Sequence, residues 1–293
     1  MRYLRLQPSQ QEENTHAPVV FLHGLLGYSF SWRHNLEVFA RNRTVYAVDL
    51  LGMGYSDRPE PGDVSYSLND TAERMTAWMR SLGLYSADVV ATSHGGALAM
   101  RMAMMNRTAG ASLLRRLVLV AAANPFSNAG SGRIRFFSRP FGAWLLRHGM
   151  VLHAASRWLG IRRMYGDPSR VTRETLDGYA GILTEPNTAN YALGIIANWK
   201  SDMEYLRGHF ARMDGMPTLL LWGSADRTVP VASAVELQKH LPDSRLVVVQ
   251  GSGHLPYEES PEEFNREVLG FLDSELNGEE AGHCRTTRAG DSV

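Results

Sequence analysis

The sequence predicts an α/β fold with a mostly parallel central sheet flanked by helices. Short apolar runs of strand length alternate along the chain with longer amphipathic stretches of helix length, which is typical of a sheet covered by helices on both faces. The chain has 293 residues, of which 44% are hydrophobic and 20% are charged. This composition supports a sizeable core, and the length fits one α/β domain that carries an insertion.

The individual elements follow from this alternation. The predicted strands are the apolar runs at 18–22, 44–50, 87–92, 117–122, 217–222 and 245–249. The predicted helices span 31–40, 68–82, 97–105, 232–240 and 261–276. Asn69 is the expected N-cap of the second helix, and Pro261 suits the first turn of the last one.

The alternation stops between residues 126 and 213. This stretch lacks a clear strand and carries Trp, Phe, Met and Arg at helical spacing, which predicts a helical lid or cap inserted into the domain. The core is then formed by residues 1–125 and 214–276. Residues 277–293 are polar and contain glycine, so we expect this tail to be disordered.

Charge and cysteine content exclude several classes of function. Basic and acidic residues number 30 each, so no overall attraction to nucleic acid or to an anionic membrane is predicted. Cys284 is the single cysteine, which excludes an intramolecular disulfide and a cysteine metal cluster. The sequence shows neither a signal peptide nor an apolar run of about 18 residues that could span a membrane. We therefore expect a cytoplasmic protein, and no residue pattern indicates an oligomeric state.

A serine stands where a buried strand turns into a helix. Ser93 directly follows the third predicted strand, and Ala91, Gly95 and Gly96 lie beside it. Small neighbours are needed there because the strand and the helix almost touch at so sharp a turn. A serine hydroxyl is a weak nucleophile at neutral pH, and it becomes reactive when a base and an orienting acid adjoin it.

These residues resemble the G-x-S-x-G nucleophile elbow of the α/β-hydrolase family, with Ala91 in place of the first glycine. The run HGLLG, which begins at His23, is similar to the oxyanion loop of that family. The resemblance implies that Ser93 is the nucleophile. It also implies that the backbone N–H groups of Leu25 and His94 form an oxyanion hole.

Two further motifs supply an acid and a base. Asp226 lies in GSADRTVP, which resembles the G-x-x-D-x-x-x-P segment of the family, and His254 lies in GSGHLP, which resembles its G-x-G-H loop. The chain order is serine, aspartate, histidine, as in the family. The resemblance covers residues 16–275 and implies a triad in which His254 is the base and Asp226 orients it. The other interpretation of Asp226 is a capping residue near Val229 and Pro230.

Other conspicuous residues are given structural roles. The resemblance implies that His23 supports its loop, and that residues 49–59, which are similar to the family's D-x-x-G-x-G-x-S loop, are structural. Gly52 and Gly54 do not form a dinucleotide fingerprint, and the remaining histidines lack ligand spacing. We therefore predict no cofactor and no metal. The expected partner is a small-molecule ester, and no nucleic acid is expected.

The inserted segment is strongly basic. Between residues 133 and 173 the only acidic residue is Asp167. Nine arginines occupy positions 133, 135, 139, 147, 157, 162, 163, 170 and 173. The favoured interpretation is a lid whose aromatic side chains pack onto the site while the arginines face solvent. Alternatively, the basic face binds an anionic partner: an acidic lipid surface, an acyl-carrier or thioester substrate, or a carboxylate-bearing ester. Membrane contact is the less favoured of the two interpretations.

The resemblance implies a carboxylic-ester hydrolase that acts on small to medium acyl groups through an acyl-enzyme intermediate. Epoxide hydrolases and haloalkane dehalogenases of this fold use an aspartate nucleophile, whereas position 93 is serine. Carbon–carbon bond hydrolases tend to carry tryptophan after the catalytic histidine, where this chain has Leu255. Cofactor-free peroxidases and acyltransferases share the triad and stay open as alternatives.

The sequence also leaves two other classes of function open. Aminopeptidases of this fold need a pair of carboxylates for the substrate amine, and Glu185 and Glu204 are the candidates in the inserted segment. A non-catalytic binding protein on a hydrolase scaffold is the alternative outside enzymes, because fold alone does not decide function. The complete set of Ser93, Asp226 and His254 favours an enzyme.

Overall fold

The protein folds around a seven-stranded sheet. The computed structural model describes residues 1–8, 16–60, 62–106, 113–128, 131–152 and 160–274. The strands are β1 (Tyr3–Leu6), β2 (Val19–Leu22), β3 (Val45–Val48), β4 (Ala87–Thr92), β5 (Leu114–Val120), β6 (Thr218–Gly223) and β7 (Ser244–Val249). Their order in the sheet is β1-β3-β2-β4-β5-β6-β7. β1 is antiparallel to β3, and every other neighbouring pair is parallel. The predicted fold class is confirmed.

The central strands are buried along their whole length and mostly apolar, because both faces of the sheet are covered. Every residue of β2, β3, β4 and β6 is buried, as expected for parallel strands between two layers of helices. Successive residues point to opposite faces. In β2, Val20 and Leu22 belong to the apolar cluster on one face, while Val19 and Phe21 belong to the cluster on the other.

Helices surround this sheet in chain order. They are α1 (Leu36–Phe39), α2 (Leu68–Ser81), α3 (His94–Asn106), α4 (Ser131–Phe137), α5 (Pro140–Leu152), α6 (Arg173–Leu183), α7 (Thr188–Gly208), α8 (Val231–Gln238), α9 (Pro256–Glu259) and α10 (Pro261–Asp273). Short 3-10 turns lie at Ser29–Trp32, Pro168–Arg170 and Phe210–Met213. Helices α4 to α7 fall between β5 and β6, within the stretch where the sequence pattern changes.

The observed bounds of the predicted elements differ from the sequence predictions by up to three residues, and α9 was not predicted. Three larger differences also appear. β1 was not predicted, because it is a short edge strand of which no residue is fully buried. The single helix predicted at 31–40 is divided into a 3-10 turn and α1. The side chain of Asn35 lies at the break and donates to the carbonyl oxygen of Tyr257 (3.2 Å) and to Oδ1 of Asn265 (2.8 Å). These tertiary contacts override the local helical preference.

The third difference concerns the N-cap of α2, which is Ser67 and not the predicted Asn69. The Ser67 hydroxyl oxygen accepts a hydrogen bond from the backbone N–H of Asp70 (3.1 Å) and donates to the Asp70 carboxylate (2.8 Å). This reciprocal pairing satisfies one of the unpaired donors in the first turn of the helix. Asn69 lies inside the helix, and its side chain contacts Glu73 instead.

Helices α6 and α7 of the inserted segment pack on the core through buried tyrosines. The hydroxyl oxygen of Tyr179 in α6 accepts a hydrogen bond from the hydroxyl of Ser31 (2.8 Å), and the ring of Tyr191 in α7 meets the ring of Tyr66 edge-on, with the ring centroids 5.4 Å apart. Of the helices in the described ranges, none is long and apolar enough to cross a membrane. The tail predicted to be disordered, 277–293, lies outside the described residues.

Candidate active site

The three predicted triad residues lie at one edge of the sheet. Ser93 follows the last residue of β4, Asp226 comes three residues after β6, and His254 comes five residues after β7. These strands are parallel, so their carboxyl ends meet at the same edge, where open α/β sheets bind their ligands. The backbone connects the loops directly, because the N–H of Ala225 donates to the carbonyl oxygen of Ser252 (2.9 Å).

Ser93 has a strained backbone that the surrounding structure holds in place. Its φ angle is +51°, and such a conformation costs a non-glycine residue about 1–3 kcal/mol. The N–H of Ser93 donates to the carbonyl oxygen of Val120 (3.0 Å), and its own carbonyl oxygen accepts from the N–H groups of Ala123 and Gly96 (both 2.9 Å). A Cβ at Gly96 would lie only 2.4 Å from Cβ of Ala122, so glycine is required there.

The predicted oxyanion donors are positioned beside this serine. A Cβ built on Gly24 would lie 2.9 Å from Cβ of Ser93, so the loop that carries Leu25 passes directly alongside the hydroxyl group. His94 is the first residue of α3, where backbone N–H groups have no partner within the helix. In the described part of the chain, neither the N–H of Leu25 nor that of His94 donates to another residue. Both are free to bind a developing negative charge.

Asp226 and His254 form a buried hydrogen-bonded pair. Nδ1 of His254 lies 2.8 Å from Oδ2 of Asp226, and both residues are buried. Oδ1 of Asp226 accepts from the backbone N–H groups of Thr228 (2.7 Å) and Val229 (2.9 Å). One carboxylate oxygen therefore holds the turn and the other holds the imidazole, so both interpretations of Asp226 describe a real contact. With its proton on Nδ1, His254 presents Nε2 as a base.

The histidine of the oxyanion loop uses both ring nitrogens for backbone contacts. Nδ1 of His23 donates to the carbonyl oxygen of Gly24 (2.8 Å), and Nε2 accepts from the N–H of Leu50 (3.0 Å). Burial lowers the pKa of His23, which agrees with the neutral ring that these contacts require. The carboxylate of Asp49 connects two loops, because it accepts hydrogen bonds from the backbone N–H groups of Ser29 (2.7 Å) and Tyr55 (2.9 Å). Both residues support loops, as their predicted roles require.

Comparison with known proteins identifies the family. The sequence model of the alpha/beta hydrolase fold matches residues 17–261. The chain belongs to the α/β-hydrolase fold family. It is 30% identical over 267 residues to the AB hydrolase superfamily protein YisY of Bacillus subtilis, covering 88% of this chain and 92% of that protein.

Other relatives of this α/β hydrolase have varied activities. Epoxide hydrolase 1 of Caenorhabditis elegans is 23% identical over 290 residues, covering 93% of this chain and 69% of that protein. A meta-cleavage product hydrolase from Pseudomonas fluorescens superposes with a TM-score of 0.73 at 21% identity, covering 92% of this chain and 93% of that one. The second likeness shows the fold alone. The relatives leave open which bond this hydrolase cleaves.

A carboxylate that the sequence reasoning missed holds the histidine loop of this α/β hydrolase. Oε2 of Glu259 accepts from the N–H groups of Gly253 (2.8 Å) and Gly166 (3.0 Å), and Oε1 accepts from that of Asp167 (2.9 Å). The N–H of His254 itself donates to the carbonyl oxygen of Met164 (2.6 Å). The inserted segment is therefore bonded directly to the loop that carries the predicted base.

The neighbouring glutamate connects the same loop to α6. The carboxylate of Glu258 is buried, accepts from the hydroxyl groups of Tyr165 (3.0 Å) and Tyr179, and pairs with Nη2 of Arg33 (3.0 Å). Burial, together with the negative charge of Glu258, raises the pKa of both tyrosines, so they remain hydrogen-bond donors. The position of Glu258 and Glu259 shortly after His254 was the available signal, but Tyr165, Gly166 and Asp167 lie about ninety residues earlier in the chain and Arg33 lies near its start.

The structure separates the remaining candidates from the site. Glu204 is exposed and pairs with Lys200 (3.8 Å), and Glu185 is exposed too, so neither offers the sequestered carboxylate that an aminopeptidase needs. Among the described residues, no three side chains of His, Cys, Asp or Glu come together as a metal site would require.

Proposed function

We propose that this chain is a serine hydrolase that cleaves carboxylic esters of small to medium acyl groups. The observation that carries the proposal is the buried Asp226–His254 pair at the sheet edge where Ser93 is held in its strained turn. A solvent-excluded carboxylate aligned with Nδ1 of a histidine favours the tautomer that can take a proton at Nε2.

In the proposed reaction, the hydroxyl oxygen of Ser93 attacks the carbonyl carbon of the ester and its proton passes to His254. The negative charge that develops on the carbonyl oxygen is bound by the N–H groups of Leu25 and His94; one such donor typically contributes about 2.7–4 kcal/mol. Asp226 stabilises the imidazolium. His254 then protonates the leaving alcohol, and the acyl-enzyme remains.

The second half of the reaction reverses these roles. A water molecule gives a proton to His254 and attacks the acyl-enzyme, and the returned proton regenerates the Ser93 hydroxyl as the acid leaves. Burial lowers the pKa of the His94 side chain to about 4. That imidazole is therefore neutral at pH 7 and places no competing positive charge beside the nucleophile. We infer that His94 acts through its backbone.

The preference for hydrophobic acyl groups is inferred from the inserted helices. α7 buries Tyr191 and Ile195 against the core, and α6 buries Tyr179. An apolar, aromatic covering favours hydrophobic acyl groups and excludes water. Leu255, rather than tryptophan, follows His254, so we give ester hydrolysis precedence over carbon–carbon bond cleavage.

The experiment is hydrolysis of p-nitrophenyl esters of graded chain length by the native protein and by Ser93→Ala. We expect Ser93→Ala to lose about 10⁴-fold or more of kcat, and a fluorophosphonate to label the native protein alone. Full activity in Ser93→Ala would disprove the assignment. A folded native protein that is labelled but inactive on every ester would redirect the proposal to another acyl or carbon–carbon substrate. Absence of both labelling and activity would indicate a binding protein.

A further inference from the structure

The charge of this protein is divided unevenly along the chain. Residues 89–166 contain eleven arginines, no lysine and no acidic residue. Because the whole chain carries 30 basic and 30 acidic residues, this stretch has a formal charge of +11 and the rest has −11. Electrostatic attraction is screened over about 8 Å at physiological ionic strength. Arg115 pairs with Asp88, and Arg116 is buried against the end of α10. The excess that an approaching surface can meet is therefore that of the inserted segment, where residues 126–166 contain seven arginines and no acidic residue.

Exposed apolar side chains are concentrated in the same stretch. Phe136, Phe141, Trp144 and Leu145 are 39%, 65%, 53% and 40% exposed, and we call these four residues the α4–α5 patch. They account for half of the eight large hydrophobic side chains that are exposed in the described ranges. The rings are contiguous, with centroids of Phe136 and Phe141 6.3 Å apart and those of Phe141 and Trp144 6.2 Å apart. A contiguous exposed apolar surface marks an interaction site more often than isolated exposed residues do.

The hairpin that carries the patch is held together by close backbone packing. A Cβ at Gly142 would lie 2.1 Å from the carbonyl oxygen of Phe136, so the start of α5 touches the end of α4. Both helices also contact α7. Nε of Arg147 donates to Oδ1 of Asn190 there (3.3 Å), while the side chain is exposed and its two Nη groups have no hydrogen-bond partner among the described residues. The patch therefore lies on the side of the hairpin that faces solvent while the other side packs on α7.

Three arginines lie within a few residues of the patch along α4 and α5. Arg135, Arg139 and Arg147 are exposed, and within the part of the chain that the structure describes no carboxylate lies within 4.0 Å of any of them. The planar guanidinium group binds phosphate oxygens in a bidentate manner. Aromatic side chains flanked by arginines on a helix pair are the composition of a surface that lies in the boundary between lipid headgroups and acyl chains.

We propose that the α4–α5 hairpin attaches this protein to a membrane whose surface carries anionic phospholipids. The α4–α5 patch enters the headgroup boundary, while Arg135, Arg139 and Arg147 bind the phosphates. A second copy of the chain is the less suitable occupant, because a symmetric contact would bring these arginines against their equivalents. The proposal goes beyond ester hydrolysis and does not depend on it.

The test is co-sedimentation of the full chain with phosphatidylcholine vesicles, with and without 30% phosphatidylglycerol, at about 100 and 500 mM NaCl, where the screening length falls from about 10 Å to less than half. We expect at least ten-fold stronger partitioning onto the anionic vesicles and a marked loss at the higher salt. Each arginine near an anionic surface contributes about five-fold in affinity. The variant with all three arginines changed to Gln should therefore bind roughly a hundred-fold more weakly.

A second variant separates the apolar contribution. Phe141→Ser combined with Trp144→Ser should lose at least ten-fold of partitioning onto the same vesicles. Both positions are exposed, so the free energy of unfolding should not change. The matched controls are Arg266→Gln, which removes an exposed arginine of α10, and Val235→Ser, which removes an exposed apolar side chain of α8. Both controls should bind like the native protein.

The proposal would be wrong if the native protein did not bind anionic vesicles at low salt, or if the arginine variant and the Phe141→Ser/Trp144→Ser variant both bound them like the native protein. If vesicle binding were absent and the native protein self-associated in a way that Phe141→Ser/Trp144→Ser abolishes, the patch would instead be a contact between two copies of the chain. Ser93→Ala should bind vesicles normally. Loss of vesicle binding with intact Ser93-dependent ester hydrolysis would reject the membrane proposal alone, and vesicle binding without hydrolysis would reject the proposed function alone.

Discussion

Glu259 offers a direct test of how the inserted segment supports the predicted base. Its carboxylate accepts three backbone N–H groups, from Gly253, Gly166 and Asp167, at 2.8–3.0 Å. Glu259→Gln keeps the shape of the side chain but offers only one acceptor atom. With that oxygen facing Gly253 and Gly166, the amide NH₂ group is directed at the N–H of Asp167, and that N–H loses its acceptor.

The expected cost follows from that single lost contact. A hydrogen bond to a charged group contributes about 1.5–3 kcal/mol, so we expect Glu259→Gln to lower the free energy of unfolding by about that amount. The N–H of Gly253, which directly precedes His254, keeps an oxygen acceptor in Glu259→Gln, but a neutral oxygen binds it more weakly than the carboxylate does, so the loop of His254 is held less firmly. Because a displacement of about 1 Å from catalytic geometry can cost 10²-fold in rate, kcat should fall by roughly 10- to 100-fold while KM for a short ester changes little.

The assays are urea denaturation and ester hydrolysis as a function of pH. The pH profile distinguishes positioning from simple destabilisation, since a displaced His254 shifts the acidic limb of kcat/KM and unfolding does not. Glu262→Gln, an exposed glutamate on the neighbouring helix, is the matched control and should behave like the native protein. If Glu259→Gln kept kcat within two-fold and left the pH profile unchanged, the positioning argument would be wrong.

Two further predictions concern the site itself. Asp226→Asn retains an acceptor for the N–H groups of Thr228 and Val229, so the fold should persist, but the wrong tautomer of His254 should lower kcat about 10⁴-fold; retention of a tenth of the activity would remove Asp226 from its role. Burial, reinforced by the nearby ring of His23, lowers the pKa of His94 to about 4 in the folded state, against about 6.5 in the unfolded chain. As the pH falls below 6.5, the unfolded chain therefore binds a proton at His94 while the folded protein does not. The free energy of unfolding, which is highest at neutral pH with respect to this group, then decreases. Between pH 7 and 4.5 the native protein should lose about 2–3 kcal/mol more than His94→Leu, measured by urea denaturation, and equal losses in the two proteins would contradict a neutral, buried His94.

The sequence determined the elements that are decided by local pattern. β4 was predicted with its observed bounds, and the strands that precede Asp226 and His254 were placed to within one residue, because each contains a short run of apolar, mostly β-branched or leucine residues. The order of Ser93, Asp226 and His254 after successive strands, together with parallel pairing, was enough to predict that they share one edge of the sheet. The same pattern also indicated a basic, aromatic insertion.

Only the tertiary structure decided the contacts between distant segments. The half-exposed residues of β1 carry no strong strand signal. They form a strand because they pair with the otherwise open edge of β3. Neither the bonding of Glu259 to residues 166 and 167 nor that of His254 to Met164 is visible in any spacing, because each joins the insertion to a loop about ninety residues away. Hydrophobic periodicity reports which face of an element is buried. It does not report which polar groups are brought together once those faces pack, and the support of the predicted base depends on that.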